Sequence, residues 1–322
     1  MDDQLAGWAA RRAPELLARA EAQAVAMLRD ALVDAARRDV PAPSSQAGPS
    51  PRPAPIPTGE LVWAYCVVRA RDAPTVAIEG VAATGVERVE AAGLAALVSR
   101  VPAAQFAEEP LRQNLNDLGW LEDVARAHET VLERAFALTT IVPLRLCTLY
   151  ETDESVRRML EHEHVALSDA LKRLGGRQEW GVKLLVDSDR LAEAARADSP
   201  DAAAFEDELE ARTGGGEYIL RRRLERHVRE CAGSLAAEVA AQVHARLQDW
   251  AIDAVTRAPQ NRDLSGHEGE MLLNGAYLVE ANRADGLRVL VAELEAHHRR
   301  LGARIDLTGP WPPFNFVEGG SA

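Results

Sequence analysis

The chain has 322 residues, 47% of them hydrophobic but only 5% aromatic, and a formal net charge of −13 at pH 7. That length accommodates two domains of ordinary size, and the apolar content suffices for their cores. The acidic balance excludes a general affinity for phosphate backbones or anionic lipid, so neither nucleic acid nor a membrane is expected as a partner.

Residues 1–39 read as a helical extension. Leu17, Val25, Leu28 and Leu32 fall close to one face, with Arg and Asp on the other, and form a candidate partner contact. Residues 40–59 are too dense in proline for helix or sheet and read as an extended linker. Residues 60–176 form an N-terminal α+β domain. It opens on a strand, LVWAYCVV (61–68), followed by two strands within 85–101 around the turn Ala92-Gly93. Apolar residues from Leu118 to Ala135 recur at three and four and predict a helix over 115–138. The apolar stretch TIVPLRLCTLY (140–150) is bounded by Pro143. A helix over 152–176 then starts on Thr152 or Asp153 as N-cap and stops at Gly175-Gly176.

Residues 177–317 form the second domain, with a short tail at 318–322. Strands are expected at 178–187, 250–257, 269–280 and 303–311, with helices at about 216–248 and 283–302. The order β-α-β-β-α-β is the ferredoxin-like arrangement, whose last strand lies inside the sheet or beside the first. The fold class is therefore α+β in two domains. The C-terminal one is ferredoxin-like, and the N-terminal one is a small α/β domain preceded by the helical extension. TGPWPPFNF (308–316) begins where the last strand leaves its sheet, and its prolines prevent further pairing.

Candidate chemistry is sparse. The three cysteines, Cys66, Cys147 and Cys231, are scattered without a CxxC pair, which points to a reducing compartment and against a zinc cluster. No signal-peptide pattern opens the chain and no apolar run reaches the roughly 18 residues of a membrane span, so a cytoplasmic protein is expected. His162 and His164 stand two apart and do not share a helix face, so no metal is expected there. His297 and His298 are expected to be exposed, and His128 to be a packed, satisfied histidine. The basic run RRRLERHVR (221–229) reads as a solvated helix face. The TGGG of 213–216 lacks the Lys-Ser/Thr of a phosphate loop and reads as a helix entry. No catalytic constellation and no cofactor motif stands out.

Several segments together resemble the gas vesicle GvpL/GvpF family: WAYCVV, LEDVARAHETVLERA, VPLRLCTLY with its Pro143-Leu144-Arg145, GRQEWGVKLLV, LLNGAYLVE and LTGPWPPFNFV. The last is the most specific. It contains Gly309, Pro310, Trp311, Pro312, Pro313, Phe314 and Phe316, and the likeness extends in order over about 60–317. Two departures stand out. Leu146-Cys147 replaces the family's Phe-Gly, which implies a locally β-like backbone with no need for positive φ at Cys147. Phe314 stands where a Tyr is usual, so a hydroxyl contact would be missing. The resemblance implies an accessory or minor structural protein of gas vesicles, without enzymatic activity. It implies contact with the major gas vesicle shell protein, which is small and very apolar, and with other gas vesicle accessory proteins. A small-ligand-binding or enzymatic ferredoxin-like protein is the alternative. Trp311 and Phe314 are expected to pin the C-terminal segment between the domains rather than to bind the shell.

Overall fold

The computed structural model describes residues 59–75, 77–211, 216–257 and 269–317. The expected N-terminal helix with Leu17, Val25, Leu28 and Leu32, most of the linker, and the tail lie outside them. The chain divides into two compact units, Met1–Gly175 and Gly176–Ala322.

The first unit is built around β1 (Glu60–Arg69), whose residues Val62–Val68 are all buried. A continuous apolar run is what a strand covered on both faces requires. Along one side β1 pairs with β3 (Leu94–Pro102), which pairs in turn with β2 (Val86–Ala91). Ala92 and Gly93, both at positive φ (51° and 76°), make the two-residue turn between β2 and β3. Such turns match the twist of the strands they join. A bulge between Ala64 and Cys66 adds Tyr65 to β1 as an unpaired residue.

Two short helices, α1 (Ala103–Phe106) and α2 (Glu108–Asn114), follow β3. Neither was visible in the sequence, because a helix of one or two turns shows no periodicity. The long α3 (Leu118–Phe136) starts on Asp117, whose carboxylate accepts from the Gly119 and Trp120 amides at 2.9 and 3.2 Å. Its buried stripe includes Leu121, Val124, His128, Val131, Leu132 and Ala135. The helix expected over 152–176 is two helices, α4 (Asp153–His162) and α5 (His164–Leu174), interrupted at Glu163 with φ −90° and ψ 10°. The apolar period runs straight through the break. The polar run Glu161–His164 contains no buried side chain, so packing does not enforce a straight axis there.

Behind β1 lies a buried polar chain. The Trp63 indole N–H donates to His128 Nδ1 at 3.0 Å, which leaves the ring proton on Nε2, facing the Leu144 carbonyl at 3.3 Å. His128 is thus a packed, satisfied histidine, as its position on the apolar stripe implied. Beside it, the Tyr65 hydroxyl donates to Ser99 Oγ (2.9 Å) and accepts from the Val81 amide (2.8 Å). Ser99 in turn donates to the Gly85 carbonyl.

The second unit contains β6 (Arg177–Val186), α6 (Ser188–Ala197), α7 (Pro200–Ala211), α8 (Glu217–Trp250), β7 (Asp253–Arg257), β8 (Glu270–Glu280), α9 (Ala284–His297) and β9 (Arg304–Trp311). The sheet order is β7-β8-β6-β9 and every pairing is antiparallel. The last strand therefore lies beside the first, at an edge. On one sheet face Trp180, Val182, Leu184, Tyr277 and Val279 share a core with Val239, Val243 and Leu247 of α8 and Leu287, Leu290 and Leu294 of α9. Each such buried side chain contributes roughly 1.5–3 kcal/mol.

The strand expected at 250–257 begins only at Asp253, because α8 runs on to Trp250. The Trp250 ring is held there by the Arg283 guanidinium, 4.2 Å from its centre, and by the open space Gly286 leaves it. Gly302, in the left-handed region with φ 63°, ends the turn after α9.

Gly80 tests the Tyr65 chain. A Cβ there would overlap the Tyr65 hydroxyl and come within 2.7 Å of Ser99 Oγ. Gly80→Ala is expected to cost about 1–3 kcal/mol in denaturant unfolding. In a Tyr65→Phe background, where the hydroxyl is gone, the added cost should fall by at least half. Equal costs in both backgrounds would refute the proposed clash.

Candidate functional site

The numbered motif residues form one segment in each unit, residues 143–145 in the first and 309–316 in the second. In the first, residues 142–150 run antiparallel along the free side of β1 as an interrupted edge strand. β4 (Val142–Pro143) pairs with Cys66 and Val67, and β5 (Leu149–Tyr150) pairs with Val62 and Trp63. Pro143 suits an edge, because it has no N–H to offer the ladder. Leu144 donates to the Tyr65 carbonyl at 2.8 Å, and Thr148 accepts from the Ala64 amide at 2.9 Å. Between them the chain turns outward. The Arg145 carbonyl receives the Thr148 amide (3.2 Å) and hydroxyl (2.7 Å), and the Arg145 side chain is exposed.

Cys147 sits in this turn with φ 62°, contrary to the β-like backbone expected there. The turn dictates the conformation, and here a residue other than glycine takes the left-handed geometry. The thiol is tucked inward, and burial pushes its pKa up to about 12. Such burial disfavours the thiolate, which is the nucleophilic form.

In the second unit the terminal segment starts at β9. Gly309 has φ 131° and a cis bond to the exposed Pro310. A Cβ on Gly309 would fall 2.9 Å from the Glu179 carbonyl and 3.1 Å from the Trp180 ring, so only glycine fits without a shift. Trp311 pairs opposite Glu179 and is buried, its indole N–H 3.4 Å from Thr308 Oγ1. Pro312, Pro313 and Phe316 are buried, and Phe314 is half-buried.

Sequence reasoning missed the group that holds this segment. The buried Glu179 carboxylate accepts from the Asn315 amide (2.9 Å) and from its side-chain Nδ2 (2.6 Å). Arg257, on the edge strand β7, donates to Asn315 Oδ1 at 2.6 Å. A strap that leaves β9 at one edge of the sheet is therefore fastened to β6 and tied to β7 at the other edge. The signal available was weak: Glu179 shares its face of β6 with Arg177 and Lys183, so it reads like any solvated strand residue.

The remaining polar groups do not assemble into a metal centre. Among the described residues no three of His, Cys, Asp and Glu stand together as ligands would. Nor is any described helix long and apolar enough to cross a membrane. His162 is exposed. His298, expected to be exposed, is buried, with its ring edge-on to the exposed His297 at 4.8 Å. Burial foremost, then the neighbouring His297 and Arg300, holds its pKa below the usual histidine range. It packs where the helix ends, at a turn whose inward face periodicity does not specify. Both histidines line an open groove of about 540 Å³ with Gln242, Arg246, Leu290 and Glu293. A larger groove of about 860 Å³ separates α6 from the first half of α8.

A family model described as "Gas vesicle synthesis protein GvpL/GvpF" matches residues 61–318. Gas vesicle protein L of a Streptomyces species is 37% identical over 264 residues, covering 81% of this chain and 94% of that protein. Gas vesicle protein L1 of Halobacterium salinarum is 27% identical, over 79% of this chain and 89% of its own length. The crystal structure of GvpF from Anabaena shares the fold, with a TM-score of 0.63 at 19% identity over 82% of this chain and all of that one.

Two outcomes are expected. Trp311→Ala should cost about 3–5 kcal/mol and Asn315→Ala about 1–3 kcal/mol in urea unfolding. Unchanged stability in both would mean that the strap carries no load. Cys147→Gly should be tolerated to within about 1 kcal/mol, whereas Cys147→Val should cost about 2 kcal/mol or more in melting experiments. Equal tolerance of both would argue that the turn relaxes.

Proposed function

Because the chain belongs to the GvpL/GvpF family of gas vesicle proteins, we propose that it is a non-enzymatic assembly factor that binds the small apolar shell protein and keeps it competent to join the growing wall. Other gas vesicle accessory proteins are its further partners. Its place is the cytoplasm, in association with gas vesicles.

The single observation that carries this reading is the family match across both units. The rest is physical. A wall subunit that is wet on one face and dry on the other exposes apolar surface and strand edges before assembly, and both promote aggregation. A partner with a net charge of −13 stays dispersed while covering such surfaces.

We read the second unit as ferredoxin-like. The alternation of strands and helices and the order β7-β8-β6-β9 support that reading. Within this sheet β7 and β9 each have one neighbour among the described residues. The strap engages Arg257 on β7, and Pro310 interrupts β9 near its end. What remains unpaired along these edges offers backbone groups for accepting a strand of the shell subunit. The amphipathic sequence around Leu17, Val25, Leu28 and Leu32 offers a second contact.

Co-expression with the shell subunit is the test. The subunit is expected to shift from the pellet to the supernatant and to co-purify with this protein. A subunit that pellets equally with and without it, together with normal vesicles in a strain lacking this gene, would sink the proposal.

A further inference from the structure

The first half of α8 is unlike the rest of the molecule. Between Glu217 and Arg229 the sequence holds five arginines against two glutamates, in a chain that is acidic overall. This half packs on α6 and α7 through Leu220 and Leu224, while Ala236, Val239, Val243 and Leu247 of the second half face the sheet. Tyr218, Arg222, Arg226 and Arg229 follow one another at four, four and three residues and share one side of the helix.

Most of this charge is not neutralised within the protein. Arg221 pairs with Glu217 at 2.7 Å, and Arg222 rests on the Tyr218 ring, 5.6 Å from its centre. Arg223, Arg226 and Arg229 have no carboxylate within ion-pair distance among the described residues. Tyr218 and Ile219 are 66% and 60% exposed. A solvated helix face accounts for the arginines alone, but not for two large apolar side chains left in water beside them.

Next to this face runs the groove of about 860 Å³. Its buried lining residues, Leu191 and Leu224, are both apolar, and Ala192, Leu209, Val228 and Ala232 extend that floor. Arg221 and Arg229 stand along one wall and Arg196 along the other, with Glu225 and Glu270 among them. Arg196 and Arg221 are already paired with Glu206 and Glu217, so the cations free to meet a ligand are Arg229 on the rim and Arg222 and Arg226 on the adjoining side of α8. An apolar trough flanked on one side by these cations fits a helix that brings aliphatic side chains on one face and carboxylates on the flank beside it. The two glutamates make it a poor seat for a uniformly anionic polymer such as RNA.

We propose that the groove between α6 and the first half of α8 docks an acidic amphipathic helix of a partner protein. Aliphatic residues of that helix lie on Leu191, Leu224 and Val228, and its carboxylates meet Arg222, Arg226 and Arg229. The surface differs in chemistry from what an apolar wall subunit requires, and the inference does not rest on capture of that subunit.

The test is a fluorescence anisotropy titration of the full-length protein with a labelled synthetic helix of about 18 residues, long enough to span the first half of α8. The peptide carries Leu at helical spacing flanked by Glu. A scrambled peptide of the same composition and a single-stranded RNA oligonucleotide are run alongside. Saturable binding is expected, weakened at least tenfold by combined R222A, R226A and R229A, and at least tenfold weaker for the scrambled peptide. Circular dichroism checks that the triple variant is folded, and V228E provides a second, single-site probe that should also abolish binding. Absence of saturable binding, equal binding by the scrambled peptide, an unaffected triple variant, or tighter binding of the RNA would each overturn the inference. Capture of the shell subunit by the same triple variant is a separate readout, so the two readings can fail independently.

Discussion

A carboxyl group removed from water must be saturated with hydrogen-bond donors, and in the second unit that requirement fixes where the chain goes after its last strand. Glu179 sits buried in β6, facing away from the helices that cover the other side of the sheet. Asn315 supplies two donors to it and receives one from Arg257. Removing either end leaves an uncompensated polar group in the interior, a loss larger than the bond itself is worth. Gly309, the prolines and the buried aromatics follow from this constraint. They bring the chain off the sheet edge and aim Asn315 at its acceptor.

The first unit answers a comparable demand differently. Its central strand is apolar on both faces, yet it places an indole N–H and a phenol against the core. A histidine, a serine and backbone groups take up every one of these polar atoms. The result is a buried network in which each member fixes a neighbour: Trp63 sets the tautomer of His128, and His128 reaches the Leu144 carbonyl in the edge segment. That segment thereby holds its outward turn at Arg145.

Periodicity located most of the long elements, because burial on one side of a helix or strand writes itself into spacing, but not α6 and α7, which lie in an acidic, alanine-rich stretch. The succession of elements left the last strand either inside the sheet or beside the first, and the structure places it at the edge beside the first. Three kinds of feature could not be read from the sequence. Helices as short as α1 and α2 have too few turns to show a period, and the break at Glu163 interrupts the backbone without disturbing the apolar stripe. The positive φ of Cys147 belongs to the turn, not to the residue, so reasoning from the replacement of a glycine gave the wrong backbone. The Glu179–Asn315 pair joins positions 136 residues apart, and neither residue type announces its partner. Of the motif positions, Pro143, Trp311 and Phe316 are buried, while the Arg145 side chain is exposed. The basic run is the exposed helix face that the sequence implied, and the groove beside it is what the sequence could not show.

The strap also orders events in time. β9 pairs directly with β6, the first strand of the second unit, and the segment after it fastens to β6 and β7. During synthesis the N-terminal unit is complete on the nascent chain while this sheet still lacks an edge. Residues from Arg304 onward must clear the ribosome before the buried carboxyl of Glu179 finds its donors. Until then the helices of that half have no finished sheet to rest on. The sheet of the second unit can be completed only after this last segment is free to pair.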